Sequence, residues 1–177
     1  GKAVVNMDIR IASANPHQIP GEIQVKGDNV FLGYFKNEEA TSAVFTEDGW
    51  FCTGDMGVLD EDGSLFIKGR TKCMILGPSG QNIYPEEVET VINSQPYVVD
   101  SLVVEDNGGL TALIYPDFAQ GAKDGMNQDT FIKYIEDTLP ELNKELPNYA
   151  KLKKIEVMSE DFERTPKKSI KRYLYQR

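Results

Sequence analysis

Three segments of the 177-residue chain combine turn-forming and charged residues in patterns that could do chemistry. The first runs from Trp50 to Gly57 and places Asp55 close to two glycines, on a backbone that is expected to be tight and open. A carboxylate has two acceptor oxygens, so it can accept hydrogen bonds from two neighbouring hydroxyls of a sugar. The alternative is an aspartate that only caps a turn.

The second segment joins a glycine-rich loop to the start of a helix. It runs from Gly69-Arg70 through Gly77–Gly80 to Pro85–Glu87. A loop that enters a helix can bind an anion, because the first backbone N–H groups of the helix have no intrahelical partner. The segment matches neither the phosphate-loop pattern, which requires Gly-Lys-Ser/Thr, nor the dinucleotide fingerprint. A simple turn followed by a helix is the alternative.

The third segment is the basic tail, in which Arg164–Arg172 contains five Lys and Arg residues. Residues 151–177 hold nine of the nineteen Lys and Arg but only four of the twenty-eight Asp and Glu, a net charge of +5. Residues 1–150 therefore carry −14. Such a tail could neutralise a triphosphate or pyrophosphate, or it could be a solvated charged terminus.

Composition excludes several other classes of function. The net charge of −9 argues against a nucleic-acid partner, and no apolar run is long enough for a transmembrane helix, which leaves at most peripheral membrane contact. Cys52 and Cys73 form neither a disulfide framework nor a zinc site, and we expect no metal ligands in this chain. The single histidine, His17, lies between two prolines and is a poor basis for catalysis. A cytoplasmic location is the default expectation.

The remaining pattern predicts an α+β fold with a change of composition near Gly69-Arg70. A β-rich part comes first, with a strand at 22–26, a short helix at 38–45 capped by Asn37, a hairpin at 58–67 and a possible short strand at Val4-Val5. We then expect a compact unit of helices and strands: a strand at 73–76, a helix from Pro85, a hairpin at 98–115, a loop at 117–127, helices at 129–139 and 140–146, and a strand at 153–158.

In this order the motifs resemble the adenylate-forming superfamily, which includes acyl-CoA synthetases, peptide-synthetase adenylation domains and beetle luciferase. The resemblance spans residues 21–172 and is carried by Gly21–Ile23 with Gly33-Tyr34, Thr53–Asp55, Gly69-Arg70, Gly80 with Ile83–Glu89, and the Lys-rich end. Two of these segments, Ser79–Pro85 and Thr165-Pro166 followed by a Lys-Arg pair, are most similar to bacterial long-chain fatty acyl-CoA ligases.

The resemblance implies roles for four residues. Asp55 matches the aspartate that holds the ribose hydroxyls of ATP, and Arg70 matches an arginine that also reaches the ribose. Lys72 falls at the hinge between the large N-terminal part and the small mobile C-terminal domain. Gly80 matches the glycine of the loop that enters the active site for thioester formation, where it leaves room for the pantetheine arm of CoA.

The chain departs from the family pattern in its tail. The family's adenylation lysine stands three residues before a basic residue, and if that basic residue is Arg172, the lysine position is occupied by Ser169. Lys168 and Lys171 are the two candidates to replace it, because a lysine side chain is long and flexible. We favour Lys168; a weakened first half-reaction or a shifted register is the alternative.

The resemblance implies a C-terminal fragment of a long-chain fatty acid CoA ligase, which uses ATP, CoA and Mg²⁺ to form acyl-AMP and then acyl-CoA. Residues 1–70 would be the end of the large domain's β subdomain plus the hinge, and 71–177 the mobile domain, an antiparallel sheet flanked by helices. The family's phosphate loop and Thr-Glu motif are missing, so we expect no full activity without the N-terminal domain. An amino- or aryl-acid adenylation domain that loads a carrier protein, and a binding module without catalysis, are the alternatives.

Overall fold

The computed structural model describes residues 1–177 and divides them into two compact units, Gly1–Met74 and Ile75–Arg177. Strands dominate the first unit, and the second contains both helices and strands, so the predicted α+β class is confirmed. None of the helices is long and apolar enough to cross a membrane.

The first unit is a four-stranded antiparallel sheet in the order β1-β2-β3-β4, with one short helix. Its elements are β1 (Met7–Ala12), β2 (Gly21–Gly27), α1 (Glu38–Ser42), β3 (Phe51–Leu59) and β4 (Leu65–Arg70). The side chain of Asn37 accepts a hydrogen bond from the N–H of Ala40, as expected for the cap of α1. The strand predicted at Val4-Val5 is wrong: both side chains are exposed, and the strand begins at Met7.

The second unit contains two sheets and four helices. Its elements are β5 (Ile75–Leu76), β6 (Asn82–Ile83), α2 (Pro85–Asn93), β7 (Val98–Asp106), β8 (Gly109–Pro116), α3 (Phe118–Lys123), α4 (Gln128–Glu136), α5 (Leu139–Glu145) and β9 (Leu152–Val157). Pro85 opens α2, where its fixed φ suits a helix and its missing N–H is not needed. The hairpin β5-β6 forms one small sheet, and β7-β8-β9 form the other.

Three expectations for this unit need correction. The loop predicted at 117–127 contains α3, because the side chain of Asp117 accepts from the N–H of Gln120 and starts a helix. The strand predicted at 73–76 is shorter, since Thr71–Cys73 is a turn of 3₁₀ helix and only Ile75–Leu76 pair. The main sheet is mixed: β7 and β8 are antiparallel, whereas β9 joins β8 in parallel.

The core of the second unit lies between its main sheet and its helices. Ile92 of α2, Ala112 of β8 and Phe131 of α4 are at most 1% exposed and belong to one apolar cluster. A second cluster on the main sheet contains Leu102 and Phe162. Because Phe162 follows β9, this second cluster attaches the basic tail to the sheet.

Candidate functional site

Asp55 lies on a bulge in the middle of β3. The register between β2 and β3 shifts so that Ile23 alone stands opposite residues 53–55. The bulge is held by polar groups: the Thr53 hydroxyl donates to the Ile23 carbonyl (2.8 Å), and the Gly54 N–H donates to the Glu22 carboxylate (3.0 Å). Gly54 has a φ of +75°, which a glycine adopts without steric cost. Bulges re-aim side chains, and this one presents the Asp55 carboxylate at the strand surface.

Arg70 contacts Asp55 directly. The two residues are partners in the β3-β4 ladder, and the Arg70 Nε lies 3.0 Å from the Asp55 Oδ1. The side chains are 68% and 32% exposed, so the pair can be reached from solvent. It presents a carboxylate and a guanidinium side by side, a combination able to accept from hydroxyls and donate to an anion or a sugar oxygen. The two predicted nucleotide-binding residues of the first unit therefore lie together.

Lys72 is exposed in the 3₁₀ turn Thr71–Cys73, directly after β4. The first compact unit ends two residues later, at Met74. Neither its neighbour Cys73 nor the more distant Cys52 is in a disulfide. His17, which the sequence made a poor catalytic candidate, places its Nδ1 3.1 Å from the carbonyl of Leu59.

Gly80 is the fourth residue of the tight turn between β5 and β6. Its N–H donates to the Gly77 carbonyl (2.9 Å), and the Gly77 N–H donates to the Gln81 carbonyl (2.8 Å). Gly80 has a φ of +79° and no heavy atom within 4 Å of where a Cβ would stand. The backbone at Gly80 is therefore open, and its conformation favours glycine.

A cavity of about 400 Å³ lies beside this turn, within the second unit. Leu76 and Ser79 line one side, the β7-β8 turn at Gly108 a second, and the segment around Tyr149 a third. Lys151, Lys153 and one acidic residue, Glu105, also line it. The cavity therefore has apolar and aromatic walls with two cations and one carboxylate among its lining. Sequence reasoning missed it, although the alternation of lysines around the buried Leu152 is a visible signal.

Lys153 lies over the turn between β7 and β8. Its ammonium group is 3.2 Å from the carbonyl of Gly108, and a Cβ at Gly109 would collide with the lysine side chain. Gly109 thus gives Lys153 the space to lie flat against the turn. The amine is held at the cavity lining by a neutral carbonyl rather than by a carboxylate, and no ion pair there neutralises its charge.

Lys168 occupies the exposed turn of a small hairpin in the tail. The Lys168 N–H donates to the Thr165 carbonyl (2.8 Å), the Thr165 N–H donates to the Ser169 carbonyl (2.8 Å), and Arg164 pairs with Ile170. Lys168 has a φ of +64°, in the left-handed region that is uncommon for residues other than glycine. Its side chain forms no ion pair, so its amine is presented to solvent.

Lys171 is bound to Glu163, on the opposite arm of the same hairpin. Its ammonium group lies 3.0 Å from the Glu163 carboxylate, and this hydrogen bond raises the pKa of Lys171 above its usual value. The Lys171 N–H also donates to the Glu163 carbonyl (2.8 Å). The two candidate lysines therefore lie in one hairpin but differ in availability, and neither lines the cavity described above.

Arg172 attaches the tail to the body of the second unit. Its guanidinium forms two hydrogen bonds with the two carboxylate oxygens of Glu89 in α2, one of them 2.9 Å long. Glu89 is 7% exposed, and its Oε1 also accepts from the N–H of Val103 in β7 (2.7 Å). Burial raises the pKa of the Glu89 carboxyl, against the opposing effect of Arg172. Glu89 lies in the motif Ile83–Glu89, but the sequence assigned it no role, because its partner is 83 residues away.

A family model described as the AMP-binding enzyme C-terminal domain matches residues 74–177, more than half of the chain. The chain belongs to the AMP-binding, adenylate-forming enzyme family. The resemblance inferred from the motifs is thereby confirmed. Relatives of the chain include named CoA ligases.

Curated relatives include a long-chain-fatty-acid–CoA ligase, FadD15, of Mycobacterium tuberculosis, which is 33% identical over 97% of this chain and 31% of its own length. A 2-succinylbenzoate–CoA ligase of Bacillus cytotoxicus is 41% identical over 59% of this chain and 22% of its own length. The chain thus spans about a third or less of the curated relatives that it matches.

Solved structures of the same family share the fold. ATP-bound MatB from Rhodopseudomonas palustris is 31% identical with a TM-score of 0.75, over 99% of this chain and 34% of its own. O-succinylbenzoate coenzyme A synthetase (MenE) of Bacillus subtilis, in complex with ATP and magnesium ion, is 31% identical with a TM-score of 0.79, over 98% of this chain and 34% of its own.

Proposed function

We propose that this chain is the C-terminal part of an AMP-forming CoA ligase that activates a fatty acid as acyl-AMP and then transfers the acyl group to CoA. The observation that carries the proposal is the lysine-rimmed cavity beside the Gly80 turn. It has an apolar wall and two lysines, which outnumber its single carboxylate, Glu105, as a phosphorylated, nucleotide-bearing thiol requires. The chain's similarity to FadD15 over nearly its whole length supports the fatty-acid class.

ATP would be held partly by the first unit. Asp55 would accept from the ribose hydroxyls, and Arg70 would hold the carboxylate in place while it donates to the ribose. Their ion pair is accessible to solvent, so a ribose can approach without the burial of an unpaired charge. Mg²⁺ would come with the ATP phosphates and neutralise their charge; the MenE structure holds ATP together with magnesium.

CoA would be held by the second unit. Gly80 would give the pantetheine arm room to pass, since its Cβ position is empty. Lys151 and Lys153 would contact the phosphates of the nucleotide end, and Tyr149 offers a ring, 47% exposed, on which a base can stack. A domain that recognises this end of CoA is better suited to free CoA than to a carrier protein.

Lys168 would supply the positive charge for acyl-AMP formation. It is exposed, forms no ion pair and stands one residue before the end of the tail turn Thr165–Ser169, whereas Lys171 must first leave Glu163. Charge that develops on the α-phosphate in the transition state is stabilised by a cation placed beside it. Lys171 is the second candidate for this role.

The remaining roles complete the proposal. Lys72 would act as the hinge between residues 1–70, the end of the large domain, and residues 71–177, the mobile domain. The N-terminal domain of the parent would be the partner, and a cytoplasmic location fits two cysteines that are not joined in a disulfide. We expect residues 1–177 alone to form no acyl-CoA.

A specific observation supports a second class of acid substrate. The 2-succinylbenzoate–CoA ligase of B. cytotoxicus is more similar to this chain, at 41% identity, than FadD15 is, although over a shorter stretch. An aryl-acid CoA ligase is therefore the second candidate. It differs from the first only in the acid and predicts the same behaviour of the residues above.

The first test follows AMP and thioester formation by the parent enzyme with ATP, Mg²⁺, CoA and a panel of short, long and aromatic acids. Acyl-CoA from long fatty acids supports the proposal, thioester from aromatic acids alone moves it to the second candidate, and no AMP with any acid refutes both. Lys168→Ala should slow acyl-AMP formation about 10²-fold. The double variant Lys168→Ala/Ser169→Lys should recover most of this loss.

The cavity is tested separately, by calorimetric titration of CoA into residues 1–177. Lys151→Ala combined with Lys153→Met removes both charges while keeping the stem of Lys153 over Gly109, and should weaken binding about tenfold. Lys133→Ala, an exposed lysine of α4, is the matched control. Equal affinity in all three proteins would remove the cavity from the proposal.

A further inference from the structure

The buried Glu89 connects three parts of the second unit. It belongs to α2, it accepts a hydrogen bond from the N–H of Val103 in β7, and it holds both nitrogens of the Arg172 guanidinium. β7 is an outer strand of its sheet, in the order β7-β8-β9. The Glu89 carboxylate therefore covers a backbone donor at a sheet edge and binds the tail with the same group.

The bidentate geometry fixes the direction of the tail as well as its distance. A guanidinium that shares two parallel hydrogen bonds with one carboxylate is held in a single plane, which a lysine could not reproduce. Glu86 lies one turn earlier in α2. Its Oε1 is 3.8 Å from the Nη2 of Arg172 and is the third carboxylate oxygen near the guanidinium. Arg172 is thus held by carboxylates from two residues of α2.

The tail hairpin ends at Lys171, directly before Arg172. The Lys171 N–H donates to the Glu163 carbonyl and Ile170 pairs with Arg164, and these two contacts close the hairpin whose turn contains Lys168. Ile170 also packs against the apolar cluster that contains Phe162. Because these backbone hydrogen bonds and the packing of Ile170 hold residues 170–172 in place, the position of Arg172 constrains the turn that ends at Ser169, three residues earlier.

We propose that Glu89 is a positioning residue: through Arg172 it fixes the orientation of the hairpin that presents Lys168. The hairpin-anchoring role stands on the contacts above, and only the purpose of the anchor, acyl-AMP formation, rests on the proposed function. Glu89 touches no substrate in this scheme. Its removal should loosen the hairpin while the main sheet stays intact.

Hydrogen exchange, measured by NMR on residues 1–177, tests the anchor without any need for activity. In Glu89→Gln, the amides of Thr165, Lys168 and Lys171 should exchange at least about tenfold faster, because an uncharged amide with one acceptor oxygen replaces the carboxylate that holds both guanidinium nitrogens. The amides of Leu113 and Ile114 in β8 should change by less than about twofold. Glu136→Gln, at an exposed position of α4, is the matched control.

Arg172→Lys keeps the positive charge but loses the planar pair of donors that the guanidinium offers. It should therefore also speed the exchange of the same three amides. Unchanged exchange of the hairpin in both variants would overturn the proposal. Equal acceleration in the hairpin and β8 would also overturn it, since Glu89 would then be a general stabilising residue.

The parent enzyme adds a second readout. Glu89→Gln should lower kcat for acyl-AMP formation about tenfold and leave the KM for ATP within about twofold, because the lysine is misplaced while the ribose contacts remain. A raised KM with unchanged kcat would contradict the positioning role. If the wild-type parent forms no acyl-AMP, the proposed function fails and the exchange experiment still decides the anchor.

Discussion

Two turns of this molecule have the same backbone and opposite chemistry. In the turn Gly77–Gln81 and in the turn Thr165–Ser169, the fourth N–H donates to the first carbonyl and the first N–H donates to the fifth carbonyl, all at 2.8–2.9 Å. The fourth residue is left-handed in both, with φ values of +79° at Gly80 and +64° at Lys168. One turn has glycine at that position and the other has lysine.

The difference shows what each turn is built to present. A left-handed conformation costs glycine nothing and costs another residue about 1 kcal/mol, so Lys168 weakens the turn that it occupies. The open space at Gly80 makes backbone accessible, whereas the strain at Lys168 is accepted at a position where an amine projects into solvent. The first turn is suited to the close approach of a ligand, and the second to the delivery of a charge.

The largest expected effect comes from a substitution that disrupts the turn Gly77–Gln81. Gly80→Val places a β-branched side chain at φ +79°, and we expect a loss of about 2 kcal/mol in the free energy of unfolding, measured by urea denaturation. Gly80→Asn should lose less than about 1 kcal/mol, because asparagine tolerates this conformation. A Val variant as stable as the wild type would mean that the turn can change its conformation freely, and the comparison would fail.

The next largest effect comes from a substitution that relieves the strain in the turn Thr165–Ser169. Lys168→Gly should gain about 0.5–1 kcal/mol in the free energy of unfolding, because glycine relieves the left-handed strain. In the parent it should lose acyl-AMP formation as Lys168→Ala does, so stability and activity move in opposite directions. Lys167→Gly is the matched control: it removes a neighbouring charge from the same turn at a residue without a positive φ, and should not stabilise.

The sequence predicted the parts of the molecule that depend on neighbouring residues. Asn37 as a helix cap, Pro85 as the first residue of α2 and the hairpin around Asp60–Ser64 are local signals, and the structure contains all three. The Asp117 cap is also a local signal, and α3 could have been predicted from it. Asp55 and Arg70 were identified by family motifs, not by their pairing.

What the sequence did not predict depends on contacts between distant segments. The bulge at Asp55 exists because β2 and β3 pair out of register, and strand register is not written in either strand alone. The parallel pairing of β9 and the bond between Glu89 and Arg172 join residues far apart in the chain. The left-handed Lys168 was missed because its turn carries no glycine to mark it.

The smallest expected effect separates the two turns by their response to acid. Arg164 donates to Asp161 (3.0 Å) and to Asp100 (2.7 Å), and its NH1 lies 3.3 Å from the Lys168 carbonyl, so ion pairs support the tail turn. The turn Gly77–Gln81 has no ionisable side chain. Acid should therefore weaken the tail turn selectively.

The sign follows from the pKa of Asp161, which the Arg164 guanidinium holds below its usual value of 3.8. In the folded protein, Arg164 binds the ionised form of Asp161. The resulting stabilisation is therefore complete above about pH 4 and is lost as the pH falls through the lowered pKa of Asp161. Exposed pairs contribute little, and the protection of the Lys168 amide against exchange should fall about twofold to fivefold between pH 6 and pH 3. The Gly80 amide should keep its protection, and Asp161→Asn should reduce the difference between the two turns. Equal loss at both turns would indicate acid unfolding of the whole unit, and the ion pairs would then have no special part in holding the lysine turn.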